Sequence, residues 1–288
     1  MVVTRPHIVV VGSINLDLVA RVERLPRAGE TVTNGVLERY PGGKGANQAL
    51  AARRLGADVT LLGCVGQDSA AEEALRLLRE GGVGLDRCMR DTEAATGIAL
   101  IAVDDAGENQ IVVAPGANRR LALERASFPD ADALICQLEV PVAELLRAAR
   151  TFQGFFCINL APAFDVPEEL IRRADLVVVN EHEAAHYGER LQASRGYVAF
   201  THGSRGAVLS QAGRRVAQSI PPEVVAVDAT GAGDTFTAAL TLALVEGTDP
   251  GRSLQFACVA AALATTRPGA QPSLPLRAEV ERAMQAIA

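Results

Sequence analysis

Short, nearly continuous apolar runs recur along the chain and alternate with stretches of helical periodicity. His7-Ile-Val-Val-Val runs into Gly12, Val59-Thr-Leu-Leu into Gly63, and Ala133-Leu-Ile-Cys136, Phe155-Phe-Cys-Ile158 and Leu176-Val-Val-Val179 follow at intervals that leave room for helices. A strand that is apolar at every position has to be covered on both faces, unlike the alternating strand of a half-exposed sheet. Residues 46–55 carry helical spacing and stop at Gly56, and residues 70–80 do the same before Gly81-Gly82, glycines being favoured just past a helix end. The alternation predicts an α/β fold with a mostly parallel central sheet and helices on both faces.

Two segments break this rhythm. Residues 18–40 hold short alternating stretches with the turn residues Pro26, Gly29, Asn34 and Gly35. Residues 96–113 read as two strands, 97–103 and 109–113, joined by Asp104-Asp-Ala-Gly107, the pattern of a hairpin. We expect the two to combine into a small β-sheet lid over the carboxyl ends of the main strands, where α/β proteins bind ligands. The expected division is residues 1–14, 41–94 and 114–288 for the body and residues 15–40 and 95–113 for the lid.

Charge and composition exclude several function classes. The 288 residues carry 28 Lys and Arg against 34 Asp and Glu, a net charge of −6, with no basic block, no Trp and 4% aromatic residues. A nucleic-acid binder needs a basic footprint or stacking surfaces, so none is expected. No stretch of 18 uncharged apolar residues occurs, so no membrane span is expected. The start of the chain shows no basic segment leading into a long apolar region, so no signal peptide is expected. The five cysteines, Cys64, Cys88, Cys136, Cys157 and Cys258, are scattered and never form a Cys-x-x-Cys pair. They read as small buried hydrophobes in a reducing, cytoplasmic setting.

Four motifs carry chemistry. His182-Glu-Ala-Ala-His186 matches H-E-x-x-H, in which two imidazoles one helical turn apart bind zinc and the glutamate acts as base. Only two other histidines exist, His7 and His202. No extension supplies a third ligand, and a zinc peptidase stands as the alternative from a different class. Asp228-Ala-Thr-Gly-Ala-Gly-Asp234 follows the apolar residues 224–227, expected as a strand, and precedes a helix expected over 235–245. Gly231, Ala232 and Gly233 let backbone N–H groups converge at a helix N-terminus, an anion site. A carboxylate beside an anion site suits a general base, Asp234; a simple helix cap is the other reading.

Tyr40-Pro-Gly-Gly-Lys-Gly-Ala-Asn-Gln48 also opens a helix. It is not a Walker A loop, because Gly45 follows Lys44 and Glu38 stands where the first glycine would be. Consecutive glycines permit close approach to a ligand, with Lys44 and Asn47 as donors to sugar hydroxyls, or form only a surface turn. Gly12-Ser-Ile-Asn15-Leu-Asp17 places Asn15 and Asp17 on one side of an extended chain, suited to binding hydroxyls or to an Asx turn.

Together with Gln137-Leu-Glu139, Asn180-Glu-His-Glu183, Thr201-His-Gly-Ser-Arg-Gly206 and Thr266-Arg-Pro-Gly-Ala-Gln-Pro-Ser273, these motifs resemble, in order and spacing and over nearly the whole chain, the ribokinase-like (PfkB) carbohydrate kinases. The resemblance implies an ATP-dependent kinase that phosphorylates D-ribose at O5, with deoxyribose, fructose and pseudouridine kinases as alternatives within the family. It implies that Asn15, Asp17, Gly42, Gly43, Lys44, Asn47 and Glu139 hold the sugar, that Asp234 is the base, and that Gly231, Ala232 and Gly233 form the anion hole. Asn180, Thr201, Gly203, Ser204, Arg205, Gly206, Gly233 and Cys258 would border ATP. Asn180 and Glu183 would organise Mg²⁺ through water, and Asp228, Thr230, Ala264, Arg267, Gly269 and Ser273 would hold K⁺. This reading recasts the zinc-like motif: Glu183 serves the magnesium site and the flanking histidines are incidental. The resemblance further implies a homodimer formed through the lid. A sugar-binding regulator without activity would not need Asp234.

The chain departs from the family pattern in three places. The 17 residues from 184 to 200 form a short connection on the nucleotide side, which requires a truncated helix. Leu160 interrupts the usual Asn-Pro-Ala-Pro-Ala, and Cys258 stands where a His or Asn often approaches the adenine.

Overall fold

In the computed structural model, residues 5–123 and 128–287 are described; the expectation about the chain's first residues falls on 1–4, outside them. The chain opens with β1 (His7–Val11), then β2 (Asn15–Val22), β3 (Val36–Gly42), α1 (Lys44–Arg54), β4 (Asp58–Leu62), β5 (Cys64–Gly66), α2 (Ser69–Glu80), β6 (Met89–Asp91), β7 (Gly97–Asp104) and β8 (Asn109–Ala114). There follow β9 (Ala133–Gln137), α3 (Val142–Thr151), β10 (Phe155–Asn159), α4 (Glu168–Arg173), β11 (Leu176–Asn180), α5 (Glu181–Tyr187), β12 (Tyr197–Thr201), β13 (Ala207–Gln211) and β14 (Arg214–Ser219). The chain closes with α6 (Ala232–Val245), α7 (Pro250–Ala264), α8 (Ala270–Ser273) and α9 (Arg277–Ala286).

The main sheet runs β14-β13-β12-β11-β10-β9-β1-β4. All pairs from β4 to β12 are parallel, and β13 and β14 add an antiparallel edge. Alternate residues of each buried strand enter separate cores. Ile8, Val10, Ile135, Cys157 and Val178 pack on α1, α6 and α7. Val9, Val11, Cys136, Phe156 and Val177 pack on α3, α4 and α5. The nearly continuous apolar runs therefore have the origin expected of them, a sheet covered on both faces.

The two irregular segments meet in a second sheet of order β3-β2-β7-β8. The hairpin β7–β8 pairs Leu100 with Val112 across an antiparallel ladder, and β2 joins it in parallel, Asp17 beside Ala99. Among the described residues, no helix is long and apolar enough to cross a membrane.

Two local expectations are corrected. Residues 224–227 form no strand. After β14 the chain passes Pro221 and Pro222, which have no N–H to give a ladder, and leaves the sheet edge to reach α6. Val225 is 86% exposed, and Val227 N and Asp228 N donate to Thr265 O at 2.7 and 3.1 Å. Helix α6 starts three residues earlier than expected, at Ala232. Gly231 caps it at φ 81, a left-handed conformation that glycine adopts without strain, and its carbonyl accepts Thr235 N at 2.9 Å.

Candidate active site

The chain leaves β1 for the lid and α1 on one side and meets β9 on the other, so the sheet order reverses between β1 and β9. Ligands of open α/β sheets bind outside the strand ends at such a point. Here the ends of β1 and β9 are tied together: Ser13 Oγ donates to Glu139 Oε2, and Lys44 N at the start of α1 donates to the same oxygen at 3.1 Å. A cleft of about 720 Å³ opens over this junction. Its floor includes Asn15, Asp17, Gly43, Lys44, Asn47, Glu139 and Asp234, and its roof is the odd-numbered face of β2, β7 and β8.

The glycine run before α1 is shaped by contacts inside the protein. A β-carbon on Gly42 would stand 2.1 Å from Asp17 Oδ2, and one on Gly45 would stand 2.5 Å from the Gly12 carbonyl carbon. These glycines let the start of α1 press onto the end of β1 and let Asp17 lie over β3, so the close approach they permit is first of all to the chain itself.

Asp234 sits in the first turn of α6, 6% exposed. Asn47 Nδ2 donates to its Oδ2 at 2.9 Å and Gln48 Nε2 to its Oδ1 at 2.9 Å. Burial raises its pKa above the ordinary carboxylate value, while Lys44 and the two amides oppose that shift. A base whose pKa is moved toward neutrality is better matched to its task. Asn47 thus spends an N–H on the carboxylate, and its Oδ1 is buried without a partner.

Asp17 is raised to about 7, by burial first and then by the Glu139 and Asp234 carboxylates, with Lys44 opposing. Burial pulls the Lys44 ammonium down, but Asp234, Glu139, Glu183 and Asp17 together hold it above the usual lysine value. Lys44 among the Asp17, Glu139 and Asp234 carboxylates makes a charged floor able to grip hydroxyl groups at several points.

Asn118 was not singled out from the sequence. It lies on the 3₁₀ turn Gly116–Arg120 that follows β8. Its Oδ1 accepts Ile14 N at 2.9 Å, and its Nδ2 donates to Asn15 Oδ1 at 2.8 Å. With its oxygen occupied, Asn15 is left to present its NH₂ as the donor end.

The segment expected as an anion hole and the residues expected to hold K⁺ adjoin one another. Gly231 is half-buried and Gly233 exposed at the start of α6; a β-carbon on Gly233 would meet nothing within 4 Å, so the helix N-terminus is open. Asp228 Oδ1 accepts Thr230 N at 2.9 Å and its Oδ2 accepts Gly269 N at 2.8 Å. The carboxylate thereby brings 228–230 beside 269. Burial acts against this charge, but those hydrogen bonds leave its pKa below the usual value. Arg267 turns its guanidinium away, to Glu279 at 2.6 Å. Ser273 Oγ donates to Ala270 O at 2.8 Å, and Ala264 is fully buried at the end of α7.

Asn180 and Glu183 form a reciprocal cap on α5. Asn180 N and Nδ2 donate to Glu183 Oε2 and Oε1 at 2.8 and 3.0 Å, and Glu183 N donates to Asn180 Oδ1 at 2.9 Å. The histidines of the zinc-like motif do not share this carboxylate. His182 and His186 are exposed while Glu183 is 7% exposed, and among the described residues no cluster of three or more His, Cys, Asp or Glu could hold a metal. Thr201 ends β12, Gly203, Ser204 and Arg205 form an exposed 3₁₀ turn and Gly206 is buried. Arg205 is held by Glu181 at 2.5 Å. Helix α5 stops at Tyr187 and continues only as a 3₁₀ turn, Gly188–Ala193. Cys258, expected beside ATP, is 4% exposed in the core, its thiol 3.8 Å from Ser219 O.

Comparison with known proteins gives a consistent outcome. The model of the pfkB family carbohydrate kinases matches residues 5–277. Ribokinase of Bacillus subtilis is 38% identical over 96% of this chain and 98% of its own length; ribokinase of Schizosaccharomyces pombe is 36% identical over 96% of each. Among solved structures, Arabidopsis thaliana ribokinase complexed with ribose and ATP superposes with a TM-score of 0.88 at 30% identity, covering 98% of this chain and 99% of that one.

Proposed function

The chain belongs to the pfkB family of carbohydrate kinases, and we propose that it transfers the γ-phosphoryl group of ATP to O5 of D-ribose, yielding ribose 5-phosphate and ADP. The observation that carries this reading is Asp234: a buried carboxylate held by two amides, at the N-terminus of α6 and on the floor of a cleft lined by Asn15, Asp17, Lys44 and Glu139. Ribokinases at 32–38% identity over nearly the whole chain support the substrate.

Asp234 takes the proton of the terminal hydroxyl as that oxygen bonds to phosphorus and the bond to ADP breaks. The N–H groups at 231–233 meet the negative charge that develops on the phosphoryl oxygens. Asn15 donates to the sugar, and Asp17 and Glu139 accept from it. Glu183 and Asn180 suit Mg²⁺, a hard cation that keeps much of its water: each Glu183 oxygen accepts one N–H from Asn180 and retains further lone pairs. When bound, Mg²⁺ supplies positive charge to the phosphates. K⁺ suits the loop that Asp228 ties to Gly269, together with Thr230, Ala264, Arg267 and Ser273, because the guanidinium there is turned away.

The four-stranded sheet acts as a lid covering the cleft, with residues 15–40 and 95–113 as its inserted segments. Its outer face exposes Leu37, Leu100 and Val112, 61%, 50% and 65% accessible, an apolar surface suited to pairing two copies of the chain; sedimentation tests that. The reaction is tested by ADP release across a panel of sugars with ATP and Mg²⁺, with and without K⁺. Ribose should give the highest kcat/KM; turnover with ribose no greater than with buffer refutes the substrate.

A further inference from the structure

Behind Asp234, on the side away from the cleft, three amides form a chain whose direction is set by a backbone carbonyl. Asn159 closes β10, and its Nδ2 donates to Val178 O at 3.2 Å, a carbonyl that also accepts Leu160 N at 3.0 Å. A carbonyl only accepts, so Asn159 must turn its NH₂ toward it and its Oδ1 away. Gln48 faces that oxygen. Its Nε2 donates to Asn159 Oδ1 at 3.2 Å and to Asp234 Oδ1 at 2.9 Å, while its Oε1 accepts Gln137 Nε2 at 2.6 Å. A flipped Gln48 would set its oxygen against two oxygens and its NH₂ against another NH₂. The direction fixed at Val178 is therefore passed through two side chains to the carboxylate. Gln48 and Gln137 are fully buried and Asn159 is 7% exposed, so any group left unpaired here pays the full cost of desolvation. Space for Gln137 depends on Gly12, where a β-carbon would stand 2.0 Å from Gln137 Oε1.

We propose that Gln48, oriented by Asn159, is a positioning residue for phosphoryl transfer: with Asn47 it fixes the plane of the Asp234 carboxylate and aims its remaining lone pairs at the sugar hydroxyl. The proposal rests on the reading of Asp234 as the base. The other charged groups that bear on Asp234 are Lys44 from α1, Glu139 after β9, Asp17 from β2 and Glu183 from α5. None of them donates to Oδ1, so none replaces Gln48.

The test uses Gln48→Met, which keeps the shape and removes all three of its side-chain hydrogen bonds, and Gln48→Glu, which keeps the shape and sets an acceptor against Asp234. Each is assayed for kcat and KM with ribose from pH 5.5 to 9, with ribose binding by calorimetry and Tm as checks on folding. We expect Gln48→Met to lower kcat about 10- to 100-fold, with ribose affinity within about threefold of wild type and the acidic limb of kcat moved to higher pH. Gln48→Glu should move that limb further, by at least about one pH unit. Asn159→Leu should lower kcat in the same direction by less, and the double variant Gln48→Met/Asn159→Leu should be no slower than Gln48→Met alone, because the two act through one bond. An unchanged kcat in Gln48→Met, an unmoved pH limb in both Gln48 variants, or multiplicative losses in the double variant overturns the proposal. Asp234→Asn separates the two readings: if it keeps wild-type kcat the base assignment itself fails, whereas if it is inactive and the Gln48 variants are not impaired, the positioning role alone fails.

Discussion

Asp17 lies so close over Gly42 that a β-carbon there would stand 2.1 Å from Asp17 Oδ2 and 2.4 Å from its Cγ. The glycine is thus the seat of the carboxylate that the proposed function assigns to the sugar. Gly42→Ala should force Asp17 off its position and weaken ribose binding about 10- to 100-fold, with ATP binding unchanged. Calorimetry with ribose and, separately, with ATP checks this; equal losses for both ligands would point to general damage.

Asp17 titrates at about 7 because burial and the Glu139 and Asp234 carboxylates disfavour its charge, with Lys44 opposing. Only the carboxylate accepts from sugar hydroxyls with full strength. Ribose affinity should therefore fall as pH drops through about 7, and Asp17→Asn should bind weakly with no such dependence between pH 6 and 8. Kd measured across that range decides the point; a wild-type Kd that does not move would show Asp17 already ionised.

The same shift has a consequence for stability. Asp17 binds its proton more tightly in the folded chain than at the ordinary value of 3.8, so the stability it contributes is complete below about pH 4 and is lost as pH rises through about 7. At pH 8 the free protein carries the full cost of that buried charge. Asp17→Asn should raise Tm at pH 8 by several degrees, and by less at pH 5. A lower Tm at pH 8 would mean that the ion pairing with Lys44 outweighs burial.

Asp234→Asn keeps the shape of the side chain and removes the proton acceptor. It should lower kcat by about 10²- to 10⁴-fold and leave ribose affinity within a few-fold, because Asn15, Asp17 and Glu139 remain. Single-turnover kinetics with ATP and ribose measure the chemical step directly, and an unchanged rate would remove Asp234 from the base role.

The buried strands were legible because five of them carry nearly continuous apolar runs, and the second sheet because its residues alternate. The placing of Asn15, Asp17, Glu139 and Asn180 was legible too, since each falls at or just after the end of such a strand. Partnerships across long separations were not. In the sequence Gln48 is only the last residue of a glycine motif, yet its partners Gln137, Asn159 and Asp234 lie 89, 111 and 186 positions away. The only sign was a run of polar residues at helix and strand ends, Asn47-Gln48, Gln137 and Asn159, which no local rule connects. Residues 224–227 misled because an apolar stretch reads as a strand whether or not the chain stays at the sheet, and here it leaves the β14 edge after Pro221 and Pro222.

Asn118 offers the sharpest test of such a long-range partnership, 103 positions from Asn15. It joins the exit of the four-stranded sheet, just after β8, to its entrance at Ile14 and Asn15. A β-carbon on Gly97, the first residue of β7, would stand 2.3 Å from Asn118 Nδ2 and 2.2 Å from Asn15 Oδ1, so three segments meet at this one amide. Asn118→Ala leaves Ile14 N without its acceptor in a buried site and frees Asn15 to rotate. The unmet donor should cost about 1–3 kcal/mol of stability, and KM for ribose should rise about 10-fold or more while kcat at saturating ribose changes little, because Asp234 and its amides stand apart from this junction. Asn118→Asp should recover most of the stability, since it still accepts Ile14 N, but not the KM, since it cannot donate to Asn15. Recovery of both by Asn118→Asp would show that the bond to Ile14 alone matters and that Asn15 needs no partner to face the sugar.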